Sequence, residues 1–303
     1  MIIELKQWDE LKKVDGKDAL VETYTGGGLR EVVHPCYQVW SYATLIRDYN
    51  KTVQDQNVVL SPCAYLHNYA LKENDPILDE QYKEYIEEAP VFCERDALKL
   101  REFIHRFIQK GDDKKILYEI DHGKIRPSKS LQNAISNMLK GNREFIMIDD
   151  QKVVYENILQ LACKSKADMK KRTIIVEGGP GTGKSVVAIN LLAELIAQYA
   201  SKNSAPRQVY SQKLKGNFKK SRVDIMFRST GSYTEIENNY VDTILVDEAH
   251  RMNEKSGMFQ NMGENQIKEV IHSSKCSVFF IDESQRVTMS DIGSVDEIKK
   301  WAK

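Results

Sequence analysis

A chain of 303 residues, 41% apolar and 29% charged, reads as a soluble globular protein long enough for two ordinary domains, each with its own core. Lysine plus arginine and aspartate plus glutamate both number 44, which excludes a global basic signature and restricts any nucleic-acid surface to a local patch. No apolar run approaches the roughly 18 residues that suggest a membrane span, and no basic stretch precedes a long apolar one at the N-terminus, which points to the cytoplasm; five dispersed cysteines without a C-x-x-C pair indicate neither a zinc site nor a disulfide framework and read as buried thiols.

In chain order, Ile2, Ile3 and Leu5 alternate with Glu4 and Lys6, which predicts a strand from one face of which Glu4 and Lys6 project together. Residues 7–31 read as polar, with Gly26, Gly27 and Gly28 forming a loop between two elements. HPCYQVWSYATLIRDYN carries Val39, Tyr42, Ala43 and Ile46 at helical spacing and starts after Pro35, a residue suited to a first turn. NVVLSPCAYL reads as a buried strand, and residues 95–109 as an amphipathic helix whose stripe is Leu98, Phe103, Ile104 and Phe107. Residues 111–142 are charged and broken by Gly123 and Pro127, with LQNAISNML as one helix; the domain boundary is placed near Gly141, giving domains 1–141 and 142–303.

The second half has a different rhythm. TIIVE is a short β-run ending in glycines, SVVAINLLAELIA is an apolar helix, and TILVDEAH and CSVFFIDESQ are apolar runs ending in carboxylates. Strands alternating with helices imply parallel crossover units, hence an α/β sheet with its chemistry at the strand C-termini. GGPGTGKS, made of Gly178, Gly179, Pro180, Gly181, Thr182, Gly183, Lys184 and Ser185, fits G-x-x-x-x-G-K-[ST] and lies between a predicted strand and a predicted helix, the context that motif requires. Glycines let successive N–H groups turn inward around phosphate oxygens, and the following helix N-terminus favours negative charge. Lys184 is then placed to reach the β- and γ-phosphates of ATP, and the Ser185 hydroxyl to ligate Mg²⁺. A glycine-rich turn with an accidental lysine is the bland alternative, and it leaves both flanks unexplained.

TILVDEAHR supplies the complementary half: Asp247 at the strand end can hold the magnesium, commonly through water, and Glu248 can polarise the attacking water. A GTPase is disfavoured, because neither D-x-x-G at this strand end nor a later N-K-x-D occurs. QKLKGNFKKSR gathers Lys213, Lys215, Lys219, Lys220 and Arg222 around Phe218; clustered cations neutralise the phosphates of DNA or RNA and an interleaved aromatic can stack on a base, while a solvated charged face is an equal alternative.

Two resemblances extend this reading. Asp282-x-x-Gln285 in FFIDESQ resembles the superfamily 1 helicase motif in which the glutamine contacts the γ-phosphate and relays its loss to the bound strand, and Gln151, ahead of the helix leading into the phosphate loop, stands where those helicases read the adenine edge. A polar helix N-terminus explains Gln151 nearly as well. In order, GGPGTGKS, SKNSAPR, KLKGNFKKSR, VDEAHR and FFIDESQRV resemble a bacterial family of Schlafen-type, helicase-like P-loop NTPases, over roughly residues 151–303. Two departures stand out: AELIAQYAS leaves little room for helix, turn and strand, so a shortened sheet edge is expected, and eighteen residues follow Gln285, too few for the second RecA-like domain of a motor. A protein partner supplying that domain is therefore among the expected partners, with DNA or RNA.

In the first half, Glu4-x-Lys6 followed by Gln38-x-x-x-Tyr42 is similar to the E-x-K and Q-x-x-x-Y arrangement of RecB-type nucleases of the PD-(D/E)XK superfamily. The resemblance implies that the Glu shares a divalent metal with an upstream Asp, that the Lys positions the nucleophilic water, and that Gln and Tyr orient the site or the DNA. A strand edge with a salt-bridging lysine and a core-facing aromatic helix are the alternative. The expectation is a chain shortened relative to a longer nuclease–NTPase, which by itself does not cut nucleic acid.

The fold class expected is α/β: a partial restriction-endonuclease-like domain followed by a RecA-like P-loop NTPase domain with a parallel sheet. The function expected is an ATP-binding, ATP-hydrolysing, helicase-like domain acting on nucleic acid. The rivals are a nucleotide-gated binding or assembly module with little hydrolysis, and a metal-dependent nuclease regulated by the P-loop domain.

Overall fold

The structure, a computed structural model, describes residues 1–303 except 112, 114, 126–130, 143, 144, 215, 258, 260, 287 and 289, and the side chains of 131–133. Two compact units form: Met1–Ser128 with Ile146–Val153, and Lys129–Phe145 with Val154–Lys303.

The first unit contains β1 (Ile2–Lys6), β2 (Leu11–Lys13), β3 (Leu20–Thr25), β4 (Gly28–Val33), α1 (Pro35–Tyr49), α2 (Lys51–Asp55), β5 (Pro62–Leu66), α3 (Lys83–Glu88), β6 (Val91–Cys93), α4 (Ala97–Phe107) and α5 (Lys115–Asp121). β1, β5 and β6 pair in parallel in that order. Residues 7–31 are not the loop their polarity suggested: β2, β3 and β4 form an antiparallel meander there. Leu11, Leu20 and Val21 are buried, while Lys12 and Arg30 are exposed to water and keep the local composition polar. Gly26 and Gly27, with φ of 58° and 81°, form the two-residue hairpin turn that needs left-handed backbone at both positions. α1 starts as its sequence indicates, with Pro35 in the first turn and the His34 ring accepting from the Cys36 N–H at 3.2 Å. The expected stripe of α4 is less buried than its spacing implies, since Leu98 is 73% exposed. The core gathers Leu20, Val39, Leu66, Tyr82 and Tyr85.

The second unit contains α6 (Leu131–Met138), most of α7 (Asp149–Asp168), β7 (Arg172–Glu177), α8 (Lys184–Glu194), β8 (Ala197–Ala200), α9 (Ser204–Leu214), α10 (Lys220–Met226), β9 (Phe227–Arg228), β10 (Val241–Val246), α11 (Gln266–Ser273), β11 (Ser274–Ile281) and α12 (Val295–Trp301). Among the described residues its sheet runs β7-β11-β10-β8-β9, and every pairing is parallel. The architecture is α/β and consistent with a RecA-like fold. Val246, Val278, Phe279 and Phe280 are buried, as expected of strands covered on both faces. AELIAQYAS does accommodate helix, turn and strand, because β8 is only four residues long and begins three residues after α8 ends.

The strand order sets the geometry of everything at the C-terminal edge. β11 lies between β7 and β10, so the glycine loop and Asp247 descend from strands that are not neighbours. The β7–β11 ladder also runs one bond past the strand, with the Gly178 N–H donating to the Ile281 carbonyl at 3.2 Å.

Candidate functional site

β7 ends at Glu177 and the chain turns through 178–183 into α8. Gly181 and Gly183 have φ of 74° and 85°, a left-handed backbone that side chains resist. Gly178 is constrained by space: a Cβ there would lie 2.8 Å from Thr182 Oγ1, which itself donates to the Gly179 carbonyl at 2.9 Å. The loop apex, Pro180 to Thr182, is exposed, and added Cβ atoms at Gly179 and Gly181 would meet nothing within 4 Å. Lys184 opens α8 and folds its ammonium back over the loop, donating to the carbonyls of Gly178 at 2.5 Å and Gly179 at 2.7 Å. Those carbonyls only partly satisfy a cation, and an anion lying over the loop would compete for it directly.

One residue on, the Ser185 hydroxyl donates to Asp247 Oδ2 at 2.8 Å. Asp247 follows β10, is 5% exposed, and continues the ladder through its N–H to the Ala200 carbonyl at 2.9 Å. Its Oδ1 accepts from the Glu248 N–H at 3.0 Å. A second donor reaches Oδ2: the Tyr199 hydroxyl, at 2.5 Å, from β8. Burial first, then the neighbouring Asp247 charge, pushes the Tyr199 phenol well above its ordinary range, so it stays protonated. Sequence reasoning missed Tyr199, because nothing in AQYA marks it; strand pairing brings it to Asp247. Glu248 takes a left-handed φ of 53°, rare for a non-glycine residue. Its half-buried carboxylate forms no hydrogen bond with the described residues and is open to water.

The third strand tip lies between these two. Asp282 Oδ1 accepts from the Ser284 N–H at 3.1 Å and the Ser284 hydroxyl at 2.6 Å, and these bonds, above all the hydroxyl, hold its carboxyl below the usual range. Among the described residues its Oδ2 is buried without a partner, as is Nδ1 of His250, a residue 2% exposed whose imidazole is shifted down by burial. Lys184 and His250 both act on the Asp282 charge, which places Asp282 among the same groups. Gln285 closes the turn that follows, its N–H donating to the Asp282 carbonyl at 3.1 Å. An open loop, a lysine held only by carbonyls, hard oxygen donors on Ser185 and Asp247, and an orphaned buried carboxylate oxygen fit a phosphate chain with a small divalent cation.

The remaining expected residues fall as follows. Gln151 lies in the first unit, where its Oε1 accepts from the Ile148 N–H at 3.3 Å in the first turn of α7. Lys213 lies in the last turn of α9; Lys219 and Lys220 open α10, with the Arg222 guanidinium 5.2 Å from the centre of the Phe218 ring. Lys215 is outside the described residues. Phe218, Lys219 and Arg222 also line a cavity of about 860 Å³ floored by Leu192, Leu195 and Met226.

In the first unit, Ile2, Glu4 and Lys6 occupy the half-buried face of β1 while Ile3 and Leu5 face outward, and Glu4 pairs with Lys6 at 2.9 Å. Gln38 and Tyr42 meet at 3.1 Å, and both donate to Asp149, Gln38 at 2.8 Å and the Tyr42 hydroxyl at 2.6 Å. Burial, then Asp149, raises the Tyr42 phenol to about 12, with Glu4 contributing. Asp149, with φ of 42°, is the member of this group that sequence spacing did not reveal.

Compared with known protein families, residues 171–303 match the Schlafen group 3, DNA/RNA helicase domain. No curated protein matches the chain.

Proposed function

We propose that the second unit binds ATP with Mg²⁺ at the β7–α8 loop and hydrolyses it while acting on DNA or RNA. The observation that carries this reading is the 2.8 Å bond between Ser185 and Asp247, which brings GGPGTGKS and TILVDEAH together across 62 residues of sequence. The similarity of residues 171–303 to a DNA/RNA helicase domain supports nucleic acid as the polymer class.

Lys184 and the loop amides would hold the β- and γ-phosphates, and Ser185 Oγ and Asp247 the cation. Bound Mg²⁺ would supply charge neutralisation at the phosphates. Glu248, with a carboxylate that makes no hydrogen bond among the described residues, would accept a proton from water, and Asp282 and Gln285 would supply further polar groups from the tip of β11. Lys219, Lys220 and Arg222, with no carboxylate partner among the described residues, and Phe218 beside them, are the proposed contact to a nucleic-acid strand.

Lys184→Ala tests the assignment by calorimetry: it should abolish ATP affinity and leave the fold intact, because among the described residues this ammonium hydrogen-bonds only to loop carbonyls. Equal affinity in the variant would refute the site. ATPase turnover measured with and without single-stranded DNA distinguishes a strand-stimulated ATPase from a nucleotide-gated binding module.

A second reading, metal-dependent cleavage by the first unit, is favoured by the convergence of Gln38, Tyr42 and Asp149 beside Glu4 and Lys6. Its test is cleavage with Mg²⁺ or Mn²⁺, lost in Glu4→Ala.

A further inference from the structure

We infer that Tyr199 is a positioning residue of the nucleotide site, fixing the Asp247 carboxylate so that the Ser185 hydroxyl turns its lone pairs toward a divalent cation. The inference rests on the ATP and Mg²⁺ reading above and extends it to a residue outside the recognised motifs.

Strand geometry brings the two groups together. Tyr199 on β8 pairs with Leu245 on β10, and Asp247 lies two residues beyond Leu245, so all three share one face of the sheet. With parallel strands about 4.8 Å apart and a rise of about 3.3 Å per residue, such a diagonal neighbour is about 8 Å away between backbones, a gap that a tyrosine spans and shorter side chains do not. The ring is held from the other side: Tyr210 of α9 and Phe227 of β9 each stack edgewise or tilted against it with centroids 5.8 Å away. The hydroxyl has little freedom, since the residue is 1% exposed.

Asp247 Oδ2 accepts from both Tyr199 and Ser185, and Oδ1 from the Glu248 amide. With its proton donated to Oδ2, the Ser185 oxygen presents only lone pairs to the loop side, the orientation a cation requires. Of the two donors that would remain after loss of the phenol, Ser185 is itself the group to be oriented, which leaves the Glu248 amide alone to fix the rotation of the carboxylate. Tyr199→Phe replaces a hydroxyl by hydrogen and changes no formal charge in the sequence. Orientation is therefore what Tyr199 contributes.

The test uses the full chain, a non-hydrolysable ATP analogue and Tyr199→Phe, which keeps the ring and its stacking. Calorimetry without Mg²⁺ should give wild-type nucleotide affinity, while the half-saturating Mg²⁺ for the cation-dependent gain in affinity should rise about three- to tenfold, less than the full worth of a hydrogen bond to a charged group because the phenol acts on the cation only through Asp247. Mn²⁺ electron paramagnetic resonance should show the same shift in cation affinity directly. Tyr210→Phe, which alters the same aromatic cluster without touching Asp247, should leave the Mg²⁺ dependence unchanged. Combined with Ser185→Ala, Tyr199→Phe should add less than its single effect, because both act through one oxygen. A half-saturating Mg²⁺ that is unchanged or lower in Tyr199→Phe, or full additivity with Ser185→Ala, would overturn the positioning role alone. Absence of any Mg²⁺-dependent nucleotide binding in the wild type would overturn the ATP reading together with it.

Discussion

Ser185 and Asp247 are joined by a 2.8 Å hydrogen bond although they belong to the first turn of α8 and the tip of β10, and although β11 separates β10 from the strand that feeds α8. Neighbouring strands are about 4.8 Å apart, so the two strand ends are displaced by two such spacings. The bond closes because α8 starts over the gap and projects Ser185 back across the tip of β11.

Glu248→Gln keeps the shape and hydrogen-bonding capacity of the side chain and removes its basicity. ATP should bind as in the wild type, while turnover measured by phosphate release should drop on the order of a hundredfold. Undiminished turnover would assign the water-activating role elsewhere.

Gly293→Ala probes the support beneath Glu248. A Cβ at position 293 would lie 1.9 Å from the Ala249 carbonyl oxygen and 2.7 Å from His250 Cα, both backbone atoms that cannot swing aside. The Ile292 N–H holds the segment in place by donating to the Met252 carbonyl at 2.8 Å. The variant should lose about 1–3 kcal/mol of stability, typical of overpacking, and its ATP turnover should fall at least about tenfold with nucleotide binding retained. Wild-type turnover would mean that this turn tolerates displacement.

If the cations of α9 and α10 track a phosphate backbone, changing Lys213, Lys219, Lys220 and Arg222 together to Gln should weaken single-strand binding for all sequences alike. The slope of log affinity against log salt should flatten by about 0.7 for each phosphate no longer neutralised. An unchanged slope returns the segment to a solvated face.

His34 makes the first unit sensitive to acid. Its Nε2 donates to the Ile77 carbonyl at 3.0 Å and its Nδ1 accepts from Cys36, so the neutral ring satisfies both partners. Burial lowers its pKa from 6.5 to about 4. Between these values the unfolded chain binds the proton and the folded one does not, so stability is highest above pH 6.5 and declines as pH falls, by on the order of 3 kcal/mol once pH 4 is passed. In urea unfolding, the stability advantage of wild type over His34→Asn should shrink across this window. A pH-independent difference would contradict the assignment.

The glycine loop and the carboxylate ends of β10 and β11 were legible because their residue types are demanded locally: left-handed glycines, a lysine at the helix start, acids terminating apolar runs. The meander of β2, β3 and β4 was not, because its outward residues, such as Lys12 and Arg30, outweigh Leu20 and Val21 in any composition window, and the glycines that make its hairpin turn look like a break. Tyr199 and Asp149 escaped for another reason. Each acquires its role by pairing or packing with residues tens of positions away, and neither AQYA nor MIDD contains a pattern that records it. Leu98 shows the converse, a helical spacing that promised burial for a side chain left 73% exposed.

The bond from the Gly178 amide to Ile281 divides the glycine loop into a fixed and a free part. Gly178 belongs to the sheet, so the amides still open to a ligand begin at Gly179. In amide hydrogen exchange the Gly178 proton should be slow with or without nucleotide, while those of Gly179, Gly181 and Gly183 exchange quickly in the free protein and slow when nucleotide is added. The loop thus has a protection boundary between two adjacent glycines, and a nucleotide would be read out as its movement toward the helix.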